Sequence, residues 1–439
     1  MNNSDCCAPK RNGKAYDVIV VGAGSAGFSA AITAAELGAQ VALIGGGTMG
    51  GTCVNVGCVP SKALIRAVEP LHQANSATRF AGIRATARVE DWQATVRQKN
   101  DLVTNLRQSK YADLLPAYSG IAYREGTARL VEGGVSLHGE HVSAGKIIVA
   151  TGSRPAIPSI PGIESVSYLT STTALELETL PRSLLIIGGG YIGAELAQMF
   201  ARAGVAVTLV FRSRLLPEAE PEIGAALQGY FAAEGITVIA GATYDSIRET
   251  VSGVTLDLIL EGHAVSKEAE RVLVTTGRAP NSEGLGLAEL GIKLSANGGI
   301  IVDDRMRTTR HNVYAAGDVT GRDQFVYMAA YGAKLAARNA LNGDSLRYDN
   351  SAMPAVVFTD PQVASAGLTE AAARIRGYDV RTSVLPLSYV PRALAGRDTR
   401  GLIKLVADGK TRRLLGAHIL APEVPTASRR QLLPFVRVF

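Results

Sequence analysis

Cys53 and Cys58 are two of only four cysteines in a chain of 439 residues. A close thiol pair can cycle between dithiol and disulfide and so carry two electrons. It can also grip a soft metal ion as two thiolates. A zinc site would need two more ligands, and no nearby His or Cys offers them. The stretch VNVGCVPSKALIRA reads as the start of a helix, whose positive dipole end favours thiolates. The gap between the two residues allows disulfide reach where the local helix is distorted. A static disulfide or a pair of buried thiols is the structural alternative.

Two repeats must position this pair. YDVIVVGAGSAGFSAAITAAELGAQVALIG reads as strand, glycine turn, helix, strand. The strand is Val18–Val21, the turn carries Gly22-x-Gly24-x-x-Gly27, and the helix runs to about Leu37, ended by Gly38. The first glycine permits a tight turn, the second lets a pyrophosphate approach the backbone, and the third lets the helix pack on the strand. SLLIIGGGYIGAELAQMFARAGVAVTLVFRSR repeats the pattern with Gly188-x-Gly190-x-x-Gly193 and a following strand Ala206–Val210. In a strand–helix context this fingerprint is specific, and two of them imply two different dinucleotides. An acid normally ends the second strand and holds the adenosine ribose. In the second repeat Phe211 stands there, followed by Arg212 and Arg214, whose guanidinium groups suit a ribose 2′-phosphate and favour NADPH over NADH. Two solvated arginines at a strand end are the alternative. In the first repeat the position is Gly45, and losing that contact costs about 1–3 kcal/mol. Beside two such clefts the thiol pair suggests a relay, from NADPH through a flavin to a disulfide.

Composition agrees with an α/β protein with many turns. Glycine is abundant at 47 residues, aromatics make up 5% of the chain, and 47% is apolar. Net charge is 45 − 39 = +6 with no basic run, which argues against a nucleic-acid tract and favours an anionic ligand. Residues 17–44 are apolar, but Gly22, Gly24, Gly27, Gly38 and Glu36 interrupt them, which argues against a membrane helix. The opening residues lack the apolar core of a secretory signal. So few cysteines point to the reducing cytoplasm.

GGTCVNVGCVPSK, both glycine fingerprints, IIVATGSRP and VYAAGDV resemble the FAD-dependent pyridine nucleotide–disulfide oxidoreductases. Residues 352–370, 390–406 and 317–330 are similar to the mercuric reductase branch of that family. The resemblance covers about residues 15–421. It implies an α/β fold with two Rossmann-like domains, for FAD and NADPH, and an α+β interface domain. The boundaries it suggests are a polar tail at 1–14, an FAD domain at 15–154 and 282–346, an NADPH domain at 155–281, an interface domain at 347–421 and an atypical tail at 422–439. The implied activity is NADPH-dependent reduction of Hg(II) to Hg(0). Cys58 would face the flavin, Cys53 would be the exchange thiol, and both would hold the metal. Lys62 would lie near the flavin with Glu195 as its partner, and Tyr191 would gate the nicotinamide. Asp318 would contact the FAD ribityl chain, which is compatible with a helix N-cap role. Ala128 and Val326 would offer FAD backbone contacts. Gly51, Thr52, Thr151 and Gly152 would also line the FAD site. Gly277, with Thr276, would mark the second domain crossing and line a cofactor site.

Three departures matter. After GAHILAPE the family continues with dimerising helices and, in mercuric reductases, a final cysteine pair. Here residues 425–439 resemble nothing in the family, so a shortened interface, weakened dimerisation and impaired turnover are expected. His418 lies outside any acid–base dyad and is expected to face a strand surface. Cys6 and Cys7 are either a metal-collecting pair or an incidental remnant. The resemblance fits a mercury(II) reductase, or else a catalytically crippled mercury-binding flavoprotein or a disulfide reductase of the dihydrolipoyl dehydrogenase or glutathione reductase kind.

Overall fold

The computed structural model describes residues 16–422. Cys6, Cys7 and the tail from 423 onward lie outside the described residues. The chain folds into two compact units. The first runs to Pro60 and continues through Lys99–Pro155 and Arg278–Asp349; the second comprises Ser61–Gln98, Ala156–Gly277 and the chain from Asn350.

The opening elements are β1 (Tyr16–Val21), α1 (Ser25–Glu36), β2 (Val41–Gly45), α2 (Gly51–Asn55), α3 (Cys58–Asn75) and α4 (Trp92–Lys110). They are followed by β3 (Ile121–Glu125), β4 (Ala128–Val131), β5 (Gly134–Leu137), β6 (Glu140–Val149) and β7 (Ser153–Pro155). In the first unit the sheet order is β3-β2-β1-β6-β5-β4. Strands β1, β2, β3 and β6 are mutually parallel. Val18 and Val20 of β1 enter one core, with Leu43 and the alanines of α1. Ile19 and Val21 enter the opposite core, with Ile44 and Leu130. A parallel sheet covered on both faces needs continuous apolar strands rather than alternating ones, which is how VIVV and VALI read.

From Ala156 the second unit continues with β8 (Leu169–Thr170), α5 (Ser171–Ala174), β9 (Ser183–Ile187), α6 (Tyr191–Arg202), β10 (Ala206–Phe211), α7 (Pro221–Ala233) and β11 (Thr237–Ala240). The meander β12 (Thr243–Thr250), β13 (Gly253–Leu260), β14 (His263–Ala269) and then β15 (Arg271–Val274) follow. The parallel sheet here has the order β11-β10-β9-β15-β8. The chain then re-enters the first unit through β16 (Arg278–Pro280), β17 (Val313–Ala315) and α8 (Val326–Asn342). It ends in β18 (Ala355–Val357), β19 (Gln362–Gly367), α9 (Glu370–Ile375), β20 (Val380–Pro386), β21 (Leu402–Asp408) and β22 (Leu414–Ala421). These last strands form an antiparallel sheet of order β18-β19-β22-β21-β20.

The sequence places residues 61–98 with the first fingerprint, whereas in the fold they belong to the second unit. Leu64, Val68, Trp92 and Val96 share a core with Leu196, Phe200 and Phe211. An amphipathic helix goes where its apolar face is covered, and sequence order does not reveal which sheet does so. His418 also differs from expectation. It is buried at 2% exposure on β22, with Nε2 3.0 Å from the Leu368 carbonyl oxygen, 3.8 Å from Glu220 and close to buried Lys404. Burial lowers its pKa first, and the Leu368 and Glu220 oxygens oppose that shift.

Candidate active site

In the first fingerprint Gly22 has φ +118°, and a Cβ there would lie 2.2 Å from the Ala150 carbonyl oxygen. A Cβ on Gly27 would lie 1.7 Å from the Gly22 carbonyl oxygen. Both glycines are therefore required by the protein's own packing. Gly24 is different. It is extended, with φ −91° and ψ −172°, and a Cβ there would meet only the Gly51 Cα, at 3.5 Å. The second fingerprint repeats this logic. Gly188 (φ +121°) and Gly193 are crowded by Thr275 and by the Gly188 carbonyl. Gly190 has φ −78° and nothing within 4 Å of its Cβ position. Neither Gly24 nor Gly190 needs to be glycine for folding, and each caps the N-terminus of a twelve-residue helix. An open approach over a helix N-terminus is what a pyrophosphate requires, so the residues present fit two dinucleotides.

The thiol segment lies directly on the first of these cradles. Gly50 bridges to Gly24, and a Cβ on Gly51 would come within 2.7 Å of the Gly24 Cα. The stretch VNVGCVPSKALIRA is expected to start one helix, and the structure builds a short helix before it as well. Cys53 sits on α2, which stops at Asn55, and Cys58 is the first residue of the 18-residue α3. Gly57 makes the break, since a Cβ there would lie 2.9 Å from the Thr52 carbonyl oxygen. Both cysteines are thiols, Cys53 half-buried and Cys58 exposed. Tyr111 faces this region, with its hydroxyl 3.0 Å from Ser25 Oγ and its ring edge-on to Phe28. Burial raises the Tyr111 pKa, and the fields of Cys53 and Cys58 push the same way. Among the described residues no group of three or more His, Cys, Asp or Glu side chains could hold a metal.

Asp318 opens a short 3-10 turn after Gly317 (φ +77°) and accepts a hydrogen bond from Ser153 Oγ at 2.6 Å. Half-buried Arg278 donates to the Ser153 hydroxyl and carbonyl, both at 2.7 Å, and lies 3.8 Å from Asp318. Burial lowers the Arg278 pKa, opposed by Asp318 and Cys58. Thr151 Oγ1 donates to the Asn281 carbonyl, and Asn281 returns bonds to Thr151 and Gly152, so β7 and β16 are tied together. Ala128 is buried in β4, Thr52 is on α2, and Val326 is the first residue of α8.

In the second unit Lys62 Nζ lies 2.5 Å from Glu195 Oε2 and 4.8 Å from the Phe358 ring centroid. Glu195 Oε1 accepts the Phe358 backbone N–H at 2.9 Å. Glu195 is 6% exposed, so its charge is matched on both oxygens. Tyr191 begins α6, and burial raises its pKa. Arg212 is exposed. Arg214 donates to the Pro217 and Ala219 carbonyls. Gly277 (φ +119°) accepts the Ala156 N–H through its carbonyl, and Thr276 Oγ1 donates to the Ala156 carbonyl. Tyr111, Ser153, Arg278 and Phe358 are not expected from the sequence. Ser153 lies within IIVATGSRP, Arg278 directly follows Gly277 and Phe358 lies within 352–370, but their partners are far along the chain and only tertiary packing reveals them.

Residues 16–337 match the family described as pyridine nucleotide-disulphide oxidoreductase, and 353–429 match its dimerisation domain. The chain belongs to the pyridine nucleotide-disulphide oxidoreductases. More particularly, it is 46% identical over 408 residues to a mercuric reductase of Bacillus cereus, covering 92% of this chain and 64% of that protein. It is 46% identical over 412 residues to a mercuric reductase of Streptomyces lividans, covering 92% and 87%. The HOCl-induced flavoprotein disulfide reductase RclA of Escherichia coli, solved as a Cu(II) complex, superposes with a TM-score of 0.82 at 30% identity over 97% of this chain and 92% of that one. The chain thus spans just under two thirds of the length of the Bacillus relative. No helix among the described residues is long and apolar enough to cross a membrane.

Proposed function

We propose that this chain is an NADPH-dependent flavoprotein that reduces thiol-bound Hg(II) to Hg(0). The observation that carries the reading is the seating of the Cys53–Cys58 segment on Gly24, in the open part of the first glycine cradle. The similarity to mercuric reductases supports Hg(II) as substrate. In balance, NADPH and Hg(II) give NADP⁺, a proton and Hg(0).

FAD, held by Gly22, Gly24, Gly27, Gly51, Thr52, Ala128, Thr151, Gly152, Asp318 and Val326, would supply two-electron transfer between a hydride donor and the sulfur pair. The chain's own residues then have these tasks. Cys53 and Cys58 bind the soft ion as thiolates, and the N-terminus of α3 stabilises the Cys58 thiolate. Ser153 and Arg278 fix the Asp318 carboxylate in one orientation. Lys62 is held beside Phe358 by its ion pair with Glu195. Tyr191 covers the nicotinamide. Gly188, Gly190 and Gly193 seat the second pyrophosphate, and Arg212 receives the 2′-phosphate, with Arg214 bracing the loop behind it. The dimerisation-domain match supports a second copy of this chain as partner, and thiol chemistry of this kind supports a cytoplasmic setting in mercury detoxification.

Replacing Cys58 or Cys53 with Ala should leave the yellow flavin spectrum in place and lower Hg(II)-dependent NADPH oxidation by about 1,000-fold or more, a loss of the kind seen when a reacting nucleophile is removed. Turnover retained by both variants, or turnover with organic disulfides and none with Hg(II), would overturn the reading.

A further inference from the structure

The corner at the end of β2 lacks the acid that such folds place against the adenosine ribose, because Gly45 stands there. The corner is filled from the neighbouring strand. β2 and β3 run in parallel register, with Leu43 opposite Tyr123 and Gly45 opposite Glu125. Side chains two residues apart share one face, so Tyr123 points to the side that a residue-45 side chain would take. A Cβ built on Gly45 would lie 2.8 Å from the Tyr123 hydroxyl and 2.8 Å from Ala23 Cβ, the residue between the first two fingerprint glycines. A side chain at 45 and the Tyr123 phenol in its present position therefore compete for the same space. Glycine at this position is what gives the phenol its room. The Tyr123 ring packs against the core behind the cradle, and its hydroxyl makes no hydrogen bond to any described residue. The phenol is half-buried, and burial, with Glu125 nearby, holds it in the neutral form. A neutral phenol both donates and accepts, as a ribose hydroxyl pair requires.

We propose that Tyr123 is the group that hydrogen-bonds the adenosine ribose of FAD, taking the place of the acid that Gly45 does not supply. This rests on the first fingerprint being the FAD site. The test is reconstitution of apoprotein, read as quenching of flavin fluorescence, with FAD and with FAD analogues lacking the adenosine 2′- or 3′-hydroxyl. Tyr123→Phe removes one oxygen and no packing, and thermal melting checks that the fold is unchanged. It should weaken FAD about 3- to 10-fold, the range for one neutral hydrogen bond, and the loss should disappear with one of the two analogues. Equal FAD affinity in Tyr123→Phe and wild type, an undiminished loss with both analogues, or a loss carried by Glu125→Gln instead would overturn the proposal. In each of those cases the wild type still binds FAD, so the functional reading stands; a wild-type apoprotein that binds no FAD defeats that reading itself.

Discussion

Two glycine turns in this chain solve the same packing problem and then part company one strand later. Gly22 closes against Ala150 and Gly188 against Thr275, and in each the third glycine presses its helix onto the first glycine's carbonyl. The strands that follow end differently. β2 ends on Gly45 with the Tyr123 hydroxyl in the space above it. β10 ends on Phe211, buried at 2% exposure, against which a Cβ on Gly189 would collide at 2.7 Å. Arg212 then stands clear of that packing at the surface, and Tyr244 lies beneath, its hydroxyl 3.5 Å from the Val210 carbonyl. The lesson is that the glycines fix where a pyrophosphate goes. What differs between the two cradles is the strand end, where Tyr123 of a neighbouring strand stands over Gly45 in one and Phe211 and Arg212 follow in the other.

The comparison breaks most easily at Gly24 and Gly190. Both have ordinary extended backbone and room for a methyl group, so alanine there should leave the apoprotein's melting temperature unchanged while obstructing a ligand. Gly24→Ala should reduce FAD content about 10- to 100-fold with NADPH binding kept. Gly190→Ala should stay yellow and lose NADPH affinity by a similar factor, in the range of a 1–3 kcal/mol overpacking cost. Flavin absorbance and NADPH titration read the two losses separately, and crossed or shared losses would show that the assignment of cofactors to cradles is wrong.

A smaller effect sharpens the second corner. Arg212→Ala should raise the KM for NADPH about 10-fold and leave NADH unaffected, as expected for one charge-assisted phosphate contact. Arg214→Ala should change cofactor preference less, because its guanidinium is engaged with the Pro217 and Ala219 carbonyls. Steady-state kinetics with both nucleotides distinguishes the two arginines.

The smallest effect concerns Tyr244. Burial raises Tyr244 to about 12, with Arg212 opposing the shift. The folded state therefore keeps the phenol proton longer than the unfolded chain does. The stability this provides is complete below an unfolded pKa of about 10 and is lost as pH rises through the folded value. Denaturant unfolding between about pH 9 and about pH 12 should show a steeper alkaline loss in wild type than in Tyr244→Phe, because only the wild type carries this proton difference between the two states. Equal slopes would remove Tyr244 from the second corner's electrostatics.

Much of this was legible in the chain. A strand, a glycine turn and a helix announce themselves locally, because positive φ, tight packing and helix capping are short-range demands. The same is true of Cys53 and Cys58, whose spacing and glycine context are continuous in sequence. Lys62 and Glu195 pair in the sequence only by resemblance, and the structure brings them to 2.5 Å. The break between α2 and α3 was not legible, since it depends on Gly57 meeting a carbonyl five residues earlier. Nor was the burial of His418 beside Glu220, the residue before α7, and Lys404 on β21, since Glu220 is far away in sequence.

The sequence by itself determined that there are two dinucleotide cradles, with a redox-capable sulfur pair immediately after the first. These follow from steric and dipolar rules that act within one strand–turn–helix. Only the tertiary structure decided that Tyr123 fills the corner Gly45 leaves open, that Ser153 and Arg278 hold Asp318, and that residues 61–98 pack with the second unit. Each of those depends on strand register or on which apolar face covers which, and such choices are made by burial across the fold rather than by neighbours along the chain.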